Sequence, residues 1–278
     1  MRLPLIHRRS FLFSALPALV GSAWGAEERP RQLGVPLHQE PLGFDLNDLE
    51  PHLDSRTLKL HYHEHHAQHL IQLHQALDEV ELSVGNLTSL MPCIQSIPRP
   101  PQVRRSILQL SLAKKRSATG VQQPLPEEAQ KAIRNHGGAH VNHTAFWRFL
   151  APPAKTPRGP QGRTAQAIDE EFGTLQQFKA AFTAAALAHP GSGWAWLVYR
   201  PDGKLVITTT RNEDNPLMKE FVDWRDYGRP ILALDLWEHS YYLKYKDNCR
   251  AYINAWWKVV NWDFVSKAHT IVRGIYGH

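Results

Sequence analysis

The 278-residue chain has two cysteines, Cys93 and Cys249, so at most one disulfide is available to it. An oxidising compartment would permit that pairing if the geometry suited it, and two separate thiols fit the sequence as well. Long apolar runs are also missing. Beyond the N-terminal segment no stretch approaches about 18 uninterrupted apolar residues, which leaves no candidate membrane-spanning helix. Acidic residues are absent from the first 25 positions, which hold Arg2, Arg8 and Arg9, and from Pro92 to Pro126, which hold Arg99, Arg104, Arg105, Lys114, Lys115 and Arg116. The formal charge is +6, and removing those nine unopposed positive charges leaves −3 for the rest of the chain. The basic character is therefore local, and a nucleic-acid-binding domain is a poor reading of it.

What is present begins with a targeting peptide over residues 1–25: a positive start, an apolar run from Phe11 to Val20, then small residues at Gly21-Ser22-Ala23 and Gly25-Ala26. The run is too short to span a bilayer. His7-Arg8-Arg9-Ser10-Phe11-Leu12 looks like a twin-arginine signal, which is read by a receptor that exports folded proteins. The expectation is an exported, periplasmic protein, although an ordinary secretory signal with a chance arginine pair reads similarly.

Residues 26–44 are polar and proline-bearing and read as an extended arm. Arg56 to Val80 is helix-compatible, with Leu58, Leu60, Leu70, Leu73 and Leu77 as its apolar positions and His61, His65 and His69 in a stripe at four-residue spacing. Pro92–Pro126 reads as a basic insertion, and helix returns from Pro126 to Leu150 with Gly137-Gly138 inside it. Since Gly in a helix costs about 1 kcal/mol, the pair suggests close backbone packing. The stretch 151–162 is the expected boundary. Beyond it come helices at Ala165–Phe172 and Leu175–Ala188, strands at Gly193–Tyr199, Leu205–Thr210 and Ile231–Asp235, then helix from about Trp237, including Arg250 to Val260. The expected fold class is α+β: an N-terminal helical hairpin domain, 45–150, and a C-terminal α/β domain, 163–278, with a small three-stranded antiparallel sheet.

Chemistry concentrates at Asp235-Leu236-Trp237-Glu238-His239, a carboxylate and an imidazole four residues apart in an apolar, aromatic segment. Burying such groups is costly without a metal ion or a dense hydrogen-bond network. One imidazole from the His61 to His66 run and one from His140-Val141-Asn142-His143 would complete a three-nitrogen, one-oxygen site. Ligands of this kind suit Fe, Mn or Zn.

At these residues the chain resembles the iron/manganese superoxide dismutase family. The likeness is carried by Leu49-Glu50-Pro51-His52, His61 to His66, Asn142-His143 with Phe146-Trp147, Gly191 to Trp196, and Asp235 to Tyr242, in the family's order. It implies His61, His143, Asp235 and His239 as metal ligands, one Mn or Fe ion per chain, superoxide as substrate, and walls formed by Trp147, Trp194, Trp196 and Trp237. His65 would line the substrate entrance. Glu238 would bond to His239 of a second copy, and Tyr241 to His65 across the same interface, making a homodimer. His140 reads as a supporting residue, and His63 and His74 as ordinary surface histidines.

Two positions depart from the family pattern. Its pocket tyrosine is His69 here, a residue that titrates near neutral pH and suggests a pH-sensitive proton relay. Its outer glutamine, found at the position of Glu213 or of Ala139, is present at neither. An ionised Glu213 would accept a hydrogen bond from metal-bound solvent, whereas a protonated one would donate. Cys249-Arg250 also replaces an Arg-Pro pair near the expected interface. The alternative to dismutation is a metal-binding homologue with lost or altered redox activity. A further one is an envelope-binding module in which the basic insertion meets lipid headgroups.

Overall fold

The computed structural model describes residues 33–97 and 124–277. The export signal and most of the basic stretch, 98–123, lie outside the described residues. At the start of the hairpin the Asp54 side chain accepts a hydrogen bond from Thr57 N at 2.9 Å and caps helix α1 (Ser55–Leu60). The helix widens into π geometry over His61–His66 and tightens again as α2 (Ala67–Glu79). A short helix α3 (Leu87–Leu90) and a 3-10 turn (Met91–Ser96) follow. The returning arm repeats the device: α4 (Glu127–Ala132), a π turn (Ile133–Gly137) and α5 (Gly138–Arg148). Inserted π turns are most frequent where a helix serves a site.

Leu73, Leu77, Leu87, Met91, Ile94, Ile133 and Met218 form the smaller of two cores. Each such side chain contributes roughly 1.5–3 kcal/mol by burial. Ile94, Ile97 and Leu125 belong to it, and Leu125 N donates to Ile97 O at 3.2 Å. Both ends of the stretch expected as an insertion, Pro92–Pro126, are therefore packed, because their apolar residues join the smaller core.

On the C-terminal side, α6 (Gly162–Phe172) and α7 (Leu175–Ala188) precede strands β1 (Gly193–Tyr199), β2 (Leu205–Arg211) and β3 (Arg229–Asp235). The sheet is antiparallel in the order β2-β1-β3. All seven residues of the central strand are buried. Its register sets Trp194 opposite Asp235 on one side and opposite Thr210 on the other. The larger core joins Phe44, Leu58, Phe146 and Trp147 to Trp194, Trp196, Tyr252 and Trp256, so hairpin and sheet share one apolar interior.

After β3 come a 3-10 turn (Glu238–Ser240), α8 (Tyr242–Tyr245), α9 (Cys249–Trp256) and α10 (Trp262–Tyr276). Helix thus begins after Trp237, at Tyr242, and the helix expected over Arg250 to Val260 stops at Trp256. Lys246 adopts φ 53°, and beyond Trp256 the chain leaves the helix so that Val260 can pair with Leu150. Cys93 and Cys249 are both free. Among the described residues no helix is long and apolar enough to cross a membrane.

Candidate metal centre

The hairpin supplies His61 from its first π turn and His143 from α5, while Asp235 ends β3 and His239 lies in the following 3-10 turn. Each offers one ligand atom, and the four atoms lie within 4.8 Å of one another. Asp235 Oδ2 is 3.1 Å from His61 Nε2 and 3.0 Å from His239 Nε2. Its other oxygen accepts from Trp237 N at 2.8 Å, and its carbonyl accepts from Tyr252 Oη at 3.0 Å. The carboxylate is therefore aimed by a backbone amide, and the backbone that carries it is held by a phenol.

His143 Nδ1 donates to Ala139 O at 2.6 Å, one helical turn earlier. That bond fixes the tautomer and leaves Nε2 as a lone-pair donor facing the cluster. Burial pushes His61 down to about 4, against the opposing pull of its Asp235 contact, and pushes His143 well below the ordinary imidazole range. Both rings are neutral at neutral pH, as a metal ligand must be. Burial also raises Asp235, but attraction and hydrogen bonds from His239 and His61 outweigh it and hold the carboxylate ionised. His61 Nδ1 and His143 Nε2 are buried without hydrogen-bond partners, and His61 Nε2 has only its 3.1 Å contact with Asp235. Neutral imidazoles, one carboxylate and orphaned nitrogens suit a cation, since an unsatisfied buried polar group otherwise costs about 1–3 kcal/mol.

Aromatic rings close around this set. His61 meets Trp147 at 4.7 Å between centroids, His143 meets Trp194 at 5.1 Å, and Trp237 stacks on His239 at 5.8 Å. Trp196 stands one ring further out, stacked on Trp194 at 5.6 Å with its Nε1 donating to Thr210 Oγ1. The outer mouth is a depression of about 590 Å³ lined by Leu60, His61, Glu64, His65, Gln68, Glu238, His239, Tyr242 and Leu243. Tyr241 lies outside the four-ligand cluster, stacked on Tyr252 at 5.0 Å, and burial pushes its phenol up to about 12. His63 is exposed, and His74 is exposed with Nε2 3.0 Å from Leu37 O.

His65, His69 and Glu213 come together beside the first cluster, again with one ligand atom each within 4.8 Å. His65 sits 3.8 Å from His239 between ring centroids. Glu213 is only 3% exposed. Its Oε2 accepts from Trp194 Nε1 at 3.2 Å and Asn142 Nδ2 at 3.3 Å. Burial, then the charge of Asp235, raises its carboxyl to about 8 against those two bonds, so it is protonated at neutral pH. His69 does not titrate near neutral pH as its residue type suggested. Burial, then neighbouring His136, pushes it down to about 4.

Several contributors had no clear sequence signal. His66 is buried, accepts from Trp147 Nε1 at 3.1 Å, contacts His140 at 2.7 Å and stacks on His143 at 5.2 Å. Its five-residue spacing from His61 fits no α-helical face; only the π turn brings both rings to His143. Asn215 orients Asn142 by donating to its Oδ1 at 2.9 Å, and His136 meets His69 at 3.1 Å between Nδ1 atoms. Gly138 was legible, and its role is now specific. A side chain there would strike the carbonyl of Glu213 and come within 2.7 Å of Met218 Cε.

A helical hairpin and a small antiparallel sheet, each contributing two side chains to one buried nitrogen-and-oxygen cluster, have the build of a mononuclear metalloprotein. Two family profiles match the chain: iron/manganese superoxide dismutases, alpha-hairpin domain, over residues 38–94, and iron/manganese superoxide dismutases, C-terminal domain, over residues 160–268. A superoxide dismutase [Mn] of Thermus thermophilus is 38% identical over 82% of this chain and 94% of its own length. One from Leptolyngbya boryana is 36% identical over 86% of this chain and 83% of its own length. A superoxide dismutase [Mn/Fe] of Methylomonas sp. is 37% identical over 82% and 95%. The chain belongs to the iron/manganese superoxide dismutase family.

Proposed function

We propose that this chain is a superoxide dismutase, converting two superoxide ions to oxygen and hydrogen peroxide at one manganese or iron ion held by His61, His143, Asp235 and His239. The observation that carries the reading is the buried cluster of four converging ligand atoms, with nitrogens of His61 and His143 left unpartnered. Held by these four residues, a manganese or iron ion would supply a trivalent/divalent couple, taking one electron from one superoxide and passing it to the next, which takes up two protons to become hydrogen peroxide. Asp235 contributes the negative charge that offsets the cation in a water-poor interior. Trp147, Trp194 and Trp237 keep the ligands in place and limit solvent.

Proton supply falls to the second cluster. His69 Nδ1 and His136 Nδ1 are 3.1 Å apart, so one donates and the other accepts. His136 and Glu213 line a cavity of about 440 Å³ between α4 and the loop after β2. A neutral histidine pair can pass a proton by exchanging tautomers, linking this cavity to the pocket. The test is superoxide consumption by the chain reconstituted separately with Mn and with Fe, normalised to metal content. Turnover well above an Asp235→Ala control supports the reading. Full occupancy with no such excess favours the metal-binding homologue with altered redox chemistry, to which His69 and Glu213 lend weight.

The same proposal includes a homodimer through Glu238, His239, His65 and Tyr241. Leu60, Tyr242 and Leu243 are large apolar residues exposed at 45%, 51% and 41% around that mouth, as an interface requires. Sedimentation should give a dimer, with Glu238→Ala shifting it toward monomer. Export to the periplasm by the twin-arginine route is inferred from residues 7–12; replacing Arg8 and Arg9 by Lys should retain the protein in the cytoplasm.

A further inference from the structure

We propose that His65, His69 and Glu213 form a second cation site, separate from the four-ligand cluster and suited to Zn²⁺ or another divalent transition-metal ion. The inference goes beyond the dismutase reading, which needs a single ion. Its basis is geometric. One donor atom from each of the three residues falls within 4.8 Å of the other two, without any of the first four ligands taking part. Two imidazoles and a carboxylate with positions left open are a recurrent protein set for zinc and for ferrous iron.

Two further observations point into the same space. Glu213 is 3% exposed, and both of its hydrogen bonds, from Trp194 and Asn142, go to Oε2. Its Oε1 is buried with no partner, and so is His65 Nε2. The Nδ1 of His69 is 3.1 Å from His136 Nδ1, and in the tautomer that donates there the Nε2 lone pair of His69 is available to a cation. Such support of one ring nitrogen by a neighbour is the usual companion of metal ligation by the other. Gly138 keeps Glu213 close, since a side chain there would collide with the Glu213 carbonyl. Arg134 clamps the neighbouring Asp214 through two bonds of 2.6 Å.

The departures from the family pattern acquire a shared meaning. A phenol and an amide bind divalent cations poorly, whereas the imidazole of His69 binds them well, as does the carboxylate that Glu213 presents once an incoming cation displaces its proton to solvent. Separately each looks like a change of tuning; together with His65 they complete a donor set. The two clusters adjoin, with His65 and His143 5.3 Å and His69 and His143 6.0 Å apart between ring centroids. Paired metal sites at close range are chemically ordinary when each ion has its own anionic ligand. Here Asp235 serves one and Glu213 the other. Of the three donors, Glu213 lines the cavity beside His136, and His65 lines the mouth beside Glu238 and His239.

The test loads the full mature chain with Mn²⁺, removes the excess, titrates with Zn²⁺ and counts both elements per chain after gel filtration. The expected result is about one Mn retained and about one Zn gained. The Zn should be lost in His69→Tyr and in Glu213→Gln, with Mn content and circular dichroism preserved. Zinc replacing manganese with the total staying at one, or no zinc uptake, overturns the proposal. So does undiminished uptake in both variants. Because Mn and Zn are counted separately, failure of the dismutase reading and failure of this one are distinguishable.

Discussion

Glu213→Gln in the metal-free protein isolates the cost of a carboxyl placed where water cannot reach it. The residue is 3% exposed and its carboxyl is raised from the ordinary 4.5 to about 8 by burial and then by Asp235. Below pH 4.5 the group is protonated in folded and unfolded chains alike and imposes no pH dependence. As pH rises from 4.5 toward 8 the unfolded chain releases the proton while the folded chain keeps it, so stability falls. By pH 7 that loss amounts to about 3 kcal/mol, and it levels off above pH 8. Glutamine is close in shape and does not titrate. Its oxygen can still accept from Trp194 Nε1 and Asn142 Nδ2 where Oε2 now does. Urea denaturation of the metal-free chain and variant between pH 5 and pH 8 should show the variant gaining steadily on the parent. Parallel pH curves would refute the claim that Glu213 is held protonated by its surroundings.

Gly138→Ala should lower stability by about 1–3 kcal/mol, because the new methyl overpacks against the Glu213 carbonyl and Met218; thermal melts check it. His269, in helix α10, belongs to neither ligand cluster. It is buried with Nδ1 2.9 Å from Thr164 Oγ1, and burial, then Arg273, pushes it down to about 4. Its contribution to stability is complete above pH 6.5 and is lost as pH falls toward 4, so His269→Gln should flatten the acid side of the stability curve. Chelation of the loaded protein should lower its melting temperature, since an ion held at about 100 times its Kd adds about 2.7 kcal/mol. Asp235→Ala should abolish that chelator effect, and equal melting temperatures before and after chelation of the parent would count against the site.

Much of the fold follows from patterns that act locally. Strand β1 and helix α7 have the expected bounds, since an apolar run beside a Gly-bearing turn and an uninterrupted apolar helix need no distant partner to be recognised. Lys246 shows the limit. Its positive φ breaks a segment whose composition is helical, and a second stop, after Trp256, precedes the pairing of Val260 with Leu150, more than a hundred positions earlier in the chain. The ends of the basic stretch were unreadable for the same reason: Ile97 and Leu125 are core because the hairpin's other residues surround them.

The sequence by itself determined the donor chemistry, namely which imidazoles and which carboxylates exist and how His61, His143, Asp235 and His239 recur in a family's order. Tertiary structure alone decided their states and neighbours. It set Trp194 against Asp235 through strand register, swung His66 toward His143 through a π turn, and enclosed Glu213 so that its carboxyl keeps a proton. The reason is that ligand identity is a property of the side chain. Protonation and orientation belong to the dielectric and hydrogen bonds that distant segments bring to it.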